Sequence, residues 1–187
     1  MKQKLTPAQY QAIAGRTEQL VTPAAVEAAL GRMAADIALS VGDRDPLVLC
    51  VMTGGIVATG LLLPRLRFAL RLGYVHATRY RGATSGGAID WLHRPSAAVA
   101  GEHILLIDDI FDAGLTMEAI AAACREDGAL SVTSAVLVEK ERARTCAYRP
   151  DIIGLTVPDR YVMGYGLDYK GYFRNADGIL AAAADDV

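Results

Sequence analysis

An α/β fold, mainly a parallel sheet flanked by helices on both faces, is predicted by three features of the chain. Several short runs are apolar at every position rather than at alternate ones, which suits strands buried on both sides. These runs alternate with segments of helical periodicity. Acidic, glycine and threonine residues gather just after the runs, where loops at the carboxyl ends of parallel strands hold ligands.

The elements follow in order. Thr6-Pro7 and Thr22-Pro23 each offer a capping hydroxyl followed by proline at the first helical position. Gln9, three residues after Thr6, completes a capping-box pattern. Val26, Leu30, Met33 and Ile37 share one helical face, and the helix should end near Gly42. The first 45 residues read as a helical cover or cap. The run LVLCVM from Leu47 reads as a buried strand stopped by Thr53-Gly54-Gly55. A helical stretch interrupted at Pro64 follows, then a strand over 74–80. Residues 81–90 (RGATSGGAID) read as an exposed, mobile loop. Ile104 to Ile107 form another apolar strand, 116–126 a helix closed by Gly128, and 132–138 and 152–157 two further strands.

Composition narrows the function classes. A chain of 187 residues suits one domain, and 52% hydrophobic residues suffice for a packed core. A net charge of −2 argues against a nucleic-acid binder, which needs a basic excess. Cys50, Cys124 and Cys146 match no metal spacing and read as reduced thiols. No apolar run approaches the roughly 20 residues of a membrane span, and no secretory leader is visible. The expectation is a soluble, cytoplasmic protein.

The segment ILLIDDIFDAGLTM, Ile104 to Met117, carries the most chemistry. It reads as a strand, a tight turn and a helix start. The amides of 112–116 would face one spot with the helix dipole behind them, forming a phosphate cradle. Gly114 permits close approach of the backbone, and Thr116 offers a hydroxyl for the helix cap or a phosphate oxygen. Asp108 and Asp109 suit the vicinal hydroxyls of a sugar, and Asp112 suits a general base. The plainer alternative is an acidic first turn stabilised by the helix dipole.

ILLIDDIFDAGLT resembles the phosphoribosyl-pyrophosphate (PRPP) motif of the type I phosphoribosyltransferases. The segment VPDRYVMGYGLDYKGYFRN, Val157 to Asn175, resembles the hypoxanthine-guanine branch of that family. The similarity runs from about Leu47 to Leu180. It implies the type I phosphoribosyltransferase fold with a small hood, as a single domain over 1–187. The core would span about 45–150, and the hood would come from the N-terminal helices and residues 150–187.

The resemblance also implies roles. Asp108 and Asp109 would hold the ribose hydroxyls, and Asp112 would be the general base near N7 of the purine. Asp112, Ala113, Gly114, Leu115 and Thr116 would bind the 5′-phosphate. Thr53 and Gly54 would lie in the pyrophosphate loop, which in the family often contains a cis peptide bond, and Arg174 would lie near the pyrophosphate. Lys140 would contact the C6 oxygen, Tyr161 would stack on the base, and Val162 would bond its edge through the backbone. Asp168 would serve the purine site and, with Asp108 and Asp109, a Mg²⁺ ion. Arg79 and Tyr80 would begin a lid. Four positions depart from the family pattern: Asp108 replaces a common glutamate, Thr53 a common lysine, Ala113 a common threonine, and Arg79 the serine of a Ser-Tyr pair.

The resemblance therefore implies purine salvage: transfer of the phosphoribosyl group of PRPP to hypoxanthine and guanine, with Mg²⁺, in a homodimer or homotetramer that needs neither nucleic acid nor membrane. Two alternatives stand beside it. One is preference for xanthine or another base; the other is a non-catalytic PRPP-sensing regulator that binds nucleic acid.

Overall fold

The computed structural model describes residues 4–79, 89–144 and 146–186. The N-terminal capping signals form as read. Helix α1 (Pro7–Ala14) starts at Thr6, whose Oγ1 accepts from the Gln9 amide at 3.2 Å while Gln9 Oε1 accepts from the Thr6 amide at 2.8 Å. A short strand β1 (Glu18–Val21) follows, which the sequence reading did not anticipate. Helix α2 (Pro23–Val41) is capped by Thr22, and its apolar face of Val26, Leu30, Met33 and Ile37 is fully buried.

Next come β2 (Leu47–Met52), α3 (Ile56–Leu62), β3 (Arg71–Arg79) and β4 (Ile89–His93). They are followed by the single turn α4 (Ser96–Val99), β5 (His103–Phe111), α5 (Leu115–Glu126) and β6 (Ser131–Glu141). The chain ends with β7 (Ile152–Pro158), β8 (Val162–Met163) and β9 (Ile179–Ala181).

The main sheet has the order β4-β3-β2-β5-β6-β7. All its pairings are parallel except β3 with β4, which is antiparallel and sets Ala77 opposite Trp91. Alternate residues of β5 enter two different cores. Leu105 and Ile107 join the α2 and α3 side, while Ile104 and Leu106 join the α5 side. This two-sided burial explains runs that are apolar at every position. A second, antiparallel sheet of order β1-β9-β8 stands apart from the first. Among the described residues no helix is long and apolar enough to cross a membrane.

Two boundaries differ from the expectation. The hood was to take the N-terminal helices and everything after residue 150. Instead α2 packs on β6 and β7, and β7 extends the main sheet through pairs such as Val138 with Leu155. An amphipathic helix goes where its apolar stripe is covered, and α2 has the widest stripe near the N-terminus. The loop predicted over 81–90 also gives up its last two residues to a strand. Arg79 ends β3, and Ile89 and Asp90 begin β4. β4 is the edge strand of the sheet, covered on one face only, and its alternating pattern is too brief to stand out beside three glycines. Residues 80–88 lie outside the described residues.

Candidate active site

Strand β5 runs through the middle of the main sheet and delivers its last residues to the carboxyl edge, at the mouth of a cavity of about 450 Å³. Asp108 and Asp109, near the end of β5, line it and are 9% and 7% exposed. Asp108 Oδ1 accepts from the Asp109 amide at 2.8 Å. Burial pushes the Asp108 carboxyl well above the usual range, and the neighbouring Asp109 charge adds to that. Asp109 is raised by burial too, against the pull of Arg174, whose Nη1 lies 4.0 Å from Asp109 Oδ2. Two adjacent buried acids with so little compensation suit a ligand that brings hydroxyls or a cation.

Beyond Phe111 the chain turns through Asp112, Ala113 and Gly114 into α5, and all of these line the cavity with Leu115 and Thr116. Gly114 is the N-cap, at φ +84°, and no side chain caps the helix. A Cβ at Gly114 would meet Cys146 Sγ at 2.6 Å and Phe111 Cζ at 2.7 Å, so both the backbone conformation and the space require glycine. Thr116 is the second residue of α5 and therefore does not cap it, one of the two roles read for its hydroxyl. The amides of the first helical turn have no partner within the helix, and at this end they border the cavity. Such a turn holds an anion.

The opposite wall comes from other elements. Lys140, near the end of β6, and Tyr161 and Val162, at the start of β8, line the same cavity. Tyr161 packs edge-on against Tyr169, with centroids 5.5 Å apart, and the residue is 37% exposed. Asp168 and Arg174 close the remaining side. Arg174 Nη2 donates to Asp168 Oδ1 at 2.7 Å, and its Nη1 donates to the Gly166 carbonyl. The Gly171 amide donates to Asp168 Oδ2 at 2.6 Å.

The loop after β2 contributes Gly54, which approaches so closely that a Cβ there would lie 2.1 Å from Asp109 Oδ2. The Met52–Thr53 peptide bond is cis. The Thr53 side chain is exposed and does not line the cavity, unlike its neighbours Met52 and Gly54. Of the expected lid pair, Arg79 pairs with Ile89 across the β3–β4 ribbon, and Tyr80 lies outside the described residues.

Three charged residues here escaped the sequence reading. Arg142 Nη1 donates to Asp112 Oδ1 at 2.7 Å and lies 3.7 Å from Asp159 Oδ1. Lys140 Nζ lies 3.8 Å from the same Asp112 oxygen and 3.9 Å from Asp159. Two cations and two anions thus form one cluster at the rim. Arg144 is buried behind the loop. The one sequence signal for both arginines is that Lys140, Arg142 and Arg144 fall at every second position where β6 ends and the following segment begins. Asp159 left no such mark.

Among the described residues no three acidic, histidine or cysteine side chains converge as a ready metal cage. The acids do fit an ion that arrives with its substrate, since Mg²⁺ is commonly held by one or two carboxylates plus substrate oxygens. Asp108, Asp109 and Asp168 all line the cavity, and the first two carry an uncompensated burial cost.

Comparison with known proteins places the chain in a family. The family described as Phosphoribosyl transferase domain matches residues 16–170. The hypoxanthine-guanine phosphoribosyltransferases of Homo sapiens and Mus musculus are each 28% identical over 158 residues, covering 79% of this chain and 72% of theirs. A solved hypoxanthine-guanine-xanthine phosphoribosyltransferase superposes with a TM-score of 0.75 at 25% identity, covering 90% of this chain and 95% of that one. A hypoxanthine phosphoribosyltransferase from Staphylococcus aureus superposes with a TM-score of 0.85 at 19% identity, covering 97% and 98%, and shares the fold.

Proposed function

Because the chain belongs to the phosphoribosyl transferase domain family, we propose that it is a purine-salvage enzyme transferring the 5-phosphoribosyl group of PRPP to hypoxanthine and guanine. One observation carries this reading. The acid pair of β5, the first turn of α5, Lys140 and Tyr161 all border a single cavity, large enough for a base and a sugar phosphate together.

In this reading the 5′-phosphate lies against the amides of 112–116, and the ribose hydroxyls donate to Asp108 and Asp109. Tyr161 stacks on the purine, a contact worth about 1 kcal/mol. Lys140 donates to the C6 oxygen and so disfavours adenine, which offers an amino group there. Purine N9 attacks C1 of the ribose, the bond from C1 to the pyrophosphate oxygen breaks, and its electron pair leaves with pyrophosphate. Asp112 takes the proton from N7, which keeps the purine neutral as N9 gives up its lone pair. Arg174 and the Gly54 loop neutralise and seat the pyrophosphate. Bound Mg²⁺ would supply charge neutralisation to the leaving group, held by Asp168 and the acid pair.

The assay is product formation from PRPP, Mg²⁺ and a panel of bases. IMP and GMP are expected; no product from either 6-oxopurine overturns the assignment, and faster use of xanthine revises the substrate. Asp112→Asn should lose turnover by about a hundredfold or more while PRPP still binds, and full activity in that variant removes Asp112 from the role of base.

Two coarser features accompany the proposal. A homodimer or homotetramer is supported by a shallow apolar groove of about 380 Å³ between α3 and strands β2 and β3, bordered by the exposed Ile56, Leu72 and Tyr74. A reducing, cytoplasmic setting is supported by three free, buried cysteines.

A further inference from the structure

We propose that Arg144 is a positioning residue that sets the loop of residues 112–116 in register with the strand end bearing Lys140. The inference rests on the reading of that loop as the phosphate site and of Lys140 as the base contact.

Arg144 follows β6 and turns back beneath the loop, with its side chain 7% exposed. Nε donates to the Asp112 carbonyl at 2.7 Å, and Nη2 donates to the Phe111 carbonyl at 3.2 Å and to the Lys140 carbonyl. Nη1 donates to Glu139 Oε1 at 2.9 Å. The guanidinium also lies over the Phe111 ring, 4.7 Å from its centroid. That same ring bars any side chain at Gly114.

Peptide geometry makes these contacts directional. In a trans peptide unit the carbonyl of one residue and the amide of the next point opposite ways. Drawing the Phe111 and Asp112 carbonyls back toward Arg144 therefore turns the amides of Asp112 and Ala113 away from it, and both residues line the cavity. The bond to the Lys140 carbonyl joins the other half of the site to the same rigid fork. Lysine carries a point charge on a flexible stem and cannot span three carbonyls from two segments in fixed geometry. Glu139 neutralises the buried cation, so the device stands without a ligand.

The test compares binding of GMP, guanosine and guanine by calorimetry to the wild type, Arg144→Lys and Glu139→Gln. Arg144→Lys keeps the charge opposite Glu139 and loses the fork. The advantage of GMP over guanosine should fall about tenfold or more, with the guanine affinity changed far less. Glu139→Gln leaves the fork and loosens its anchor, so the same advantage should fall by less; it is the deciding variant if Arg144→Lys does not fold. An unchanged GMP advantage in the folded variants overturns the proposal, as does an equal loss for GMP and guanosine, which marks a merely structural role. If the wild type binds GMP no more tightly than guanosine, the phosphate-site reading fails first, and that outcome is separate from any effect of the arginine.

Discussion

Asp108 is pushed toward its neutral form by burial, with the Asp109 charge next in weight. The unfolded chain releases this proton first, so the native state is penalised as pH rises through the ordinary carboxylate range. Asp108→Asn should therefore melt at a higher temperature than the wild type at neutral pH, with the gap closing as the pH falls below ~4, where both states become protonated. Turnover should fall in the same variant, because an amide is a poorer acceptor for a ribose hydroxyl. Thermal melts across pH check the first half; a lower melting temperature at neutral pH refutes it. At this scale the contiguous part of the site was legible, because Asp108, Asp109 and Asp112 to Thr116 all follow one apolar strand. Arg142, Arg144 and Asp159 were not read, since their importance arises only when β6 and the segment after β7 bring them to the β5 loop.

Helix α2 and strand β7 touch at a point with no slack. A Cβ at Gly154 would lie 2.6 Å from Met33 Sδ and 2.8 Å from the Leu137 carbonyl. Gly154→Ala should cost about 1–3 kcal/mol by forcing the helix off the sheet. Urea titration reads that loss, and a stability equal to wild type refutes it. The helix itself was plain in the sequence, from its threonine cap and its Val26, Leu30, Met33 and Ile37 stripe. Its partner was not, because an amphipathic stripe states that it will be covered without naming the cover. Strands β2 and β5 were legible for the converse reason, being apolar on both faces. Strands β1 and β4 are short and only partly buried, and they draw their stability from pairing.

For the molecule as a whole, the main sheet carries the acid pair, the helix turn and Lys140, while β8 of the second sheet carries Tyr161 and Val162 into the same cavity. The α3–β3 groove lies elsewhere on the surface and is the face proposed above for assembly. Leu72 is 57% exposed there, so Leu72→Glu should leave the fold intact and reduce the particle to a monomer in sedimentation. An unchanged mass removes this groove from the proposed assembly. Strand β9 has a different consequence. It is the middle strand of the second sheet, and beside it the Ala182 amide donates to the Tyr161 carbonyl at 2.9 Å while Asp186 holds Arg16. A nonsense lesion just after Gly178 would thus spare every acid and amide assigned to the sugar phosphate yet unmoor the aromatic platform. Such an allele would make a protein that still captures its donor, and keeps Lys140 to tell one acceptor from another, but grips every acceptor weakly.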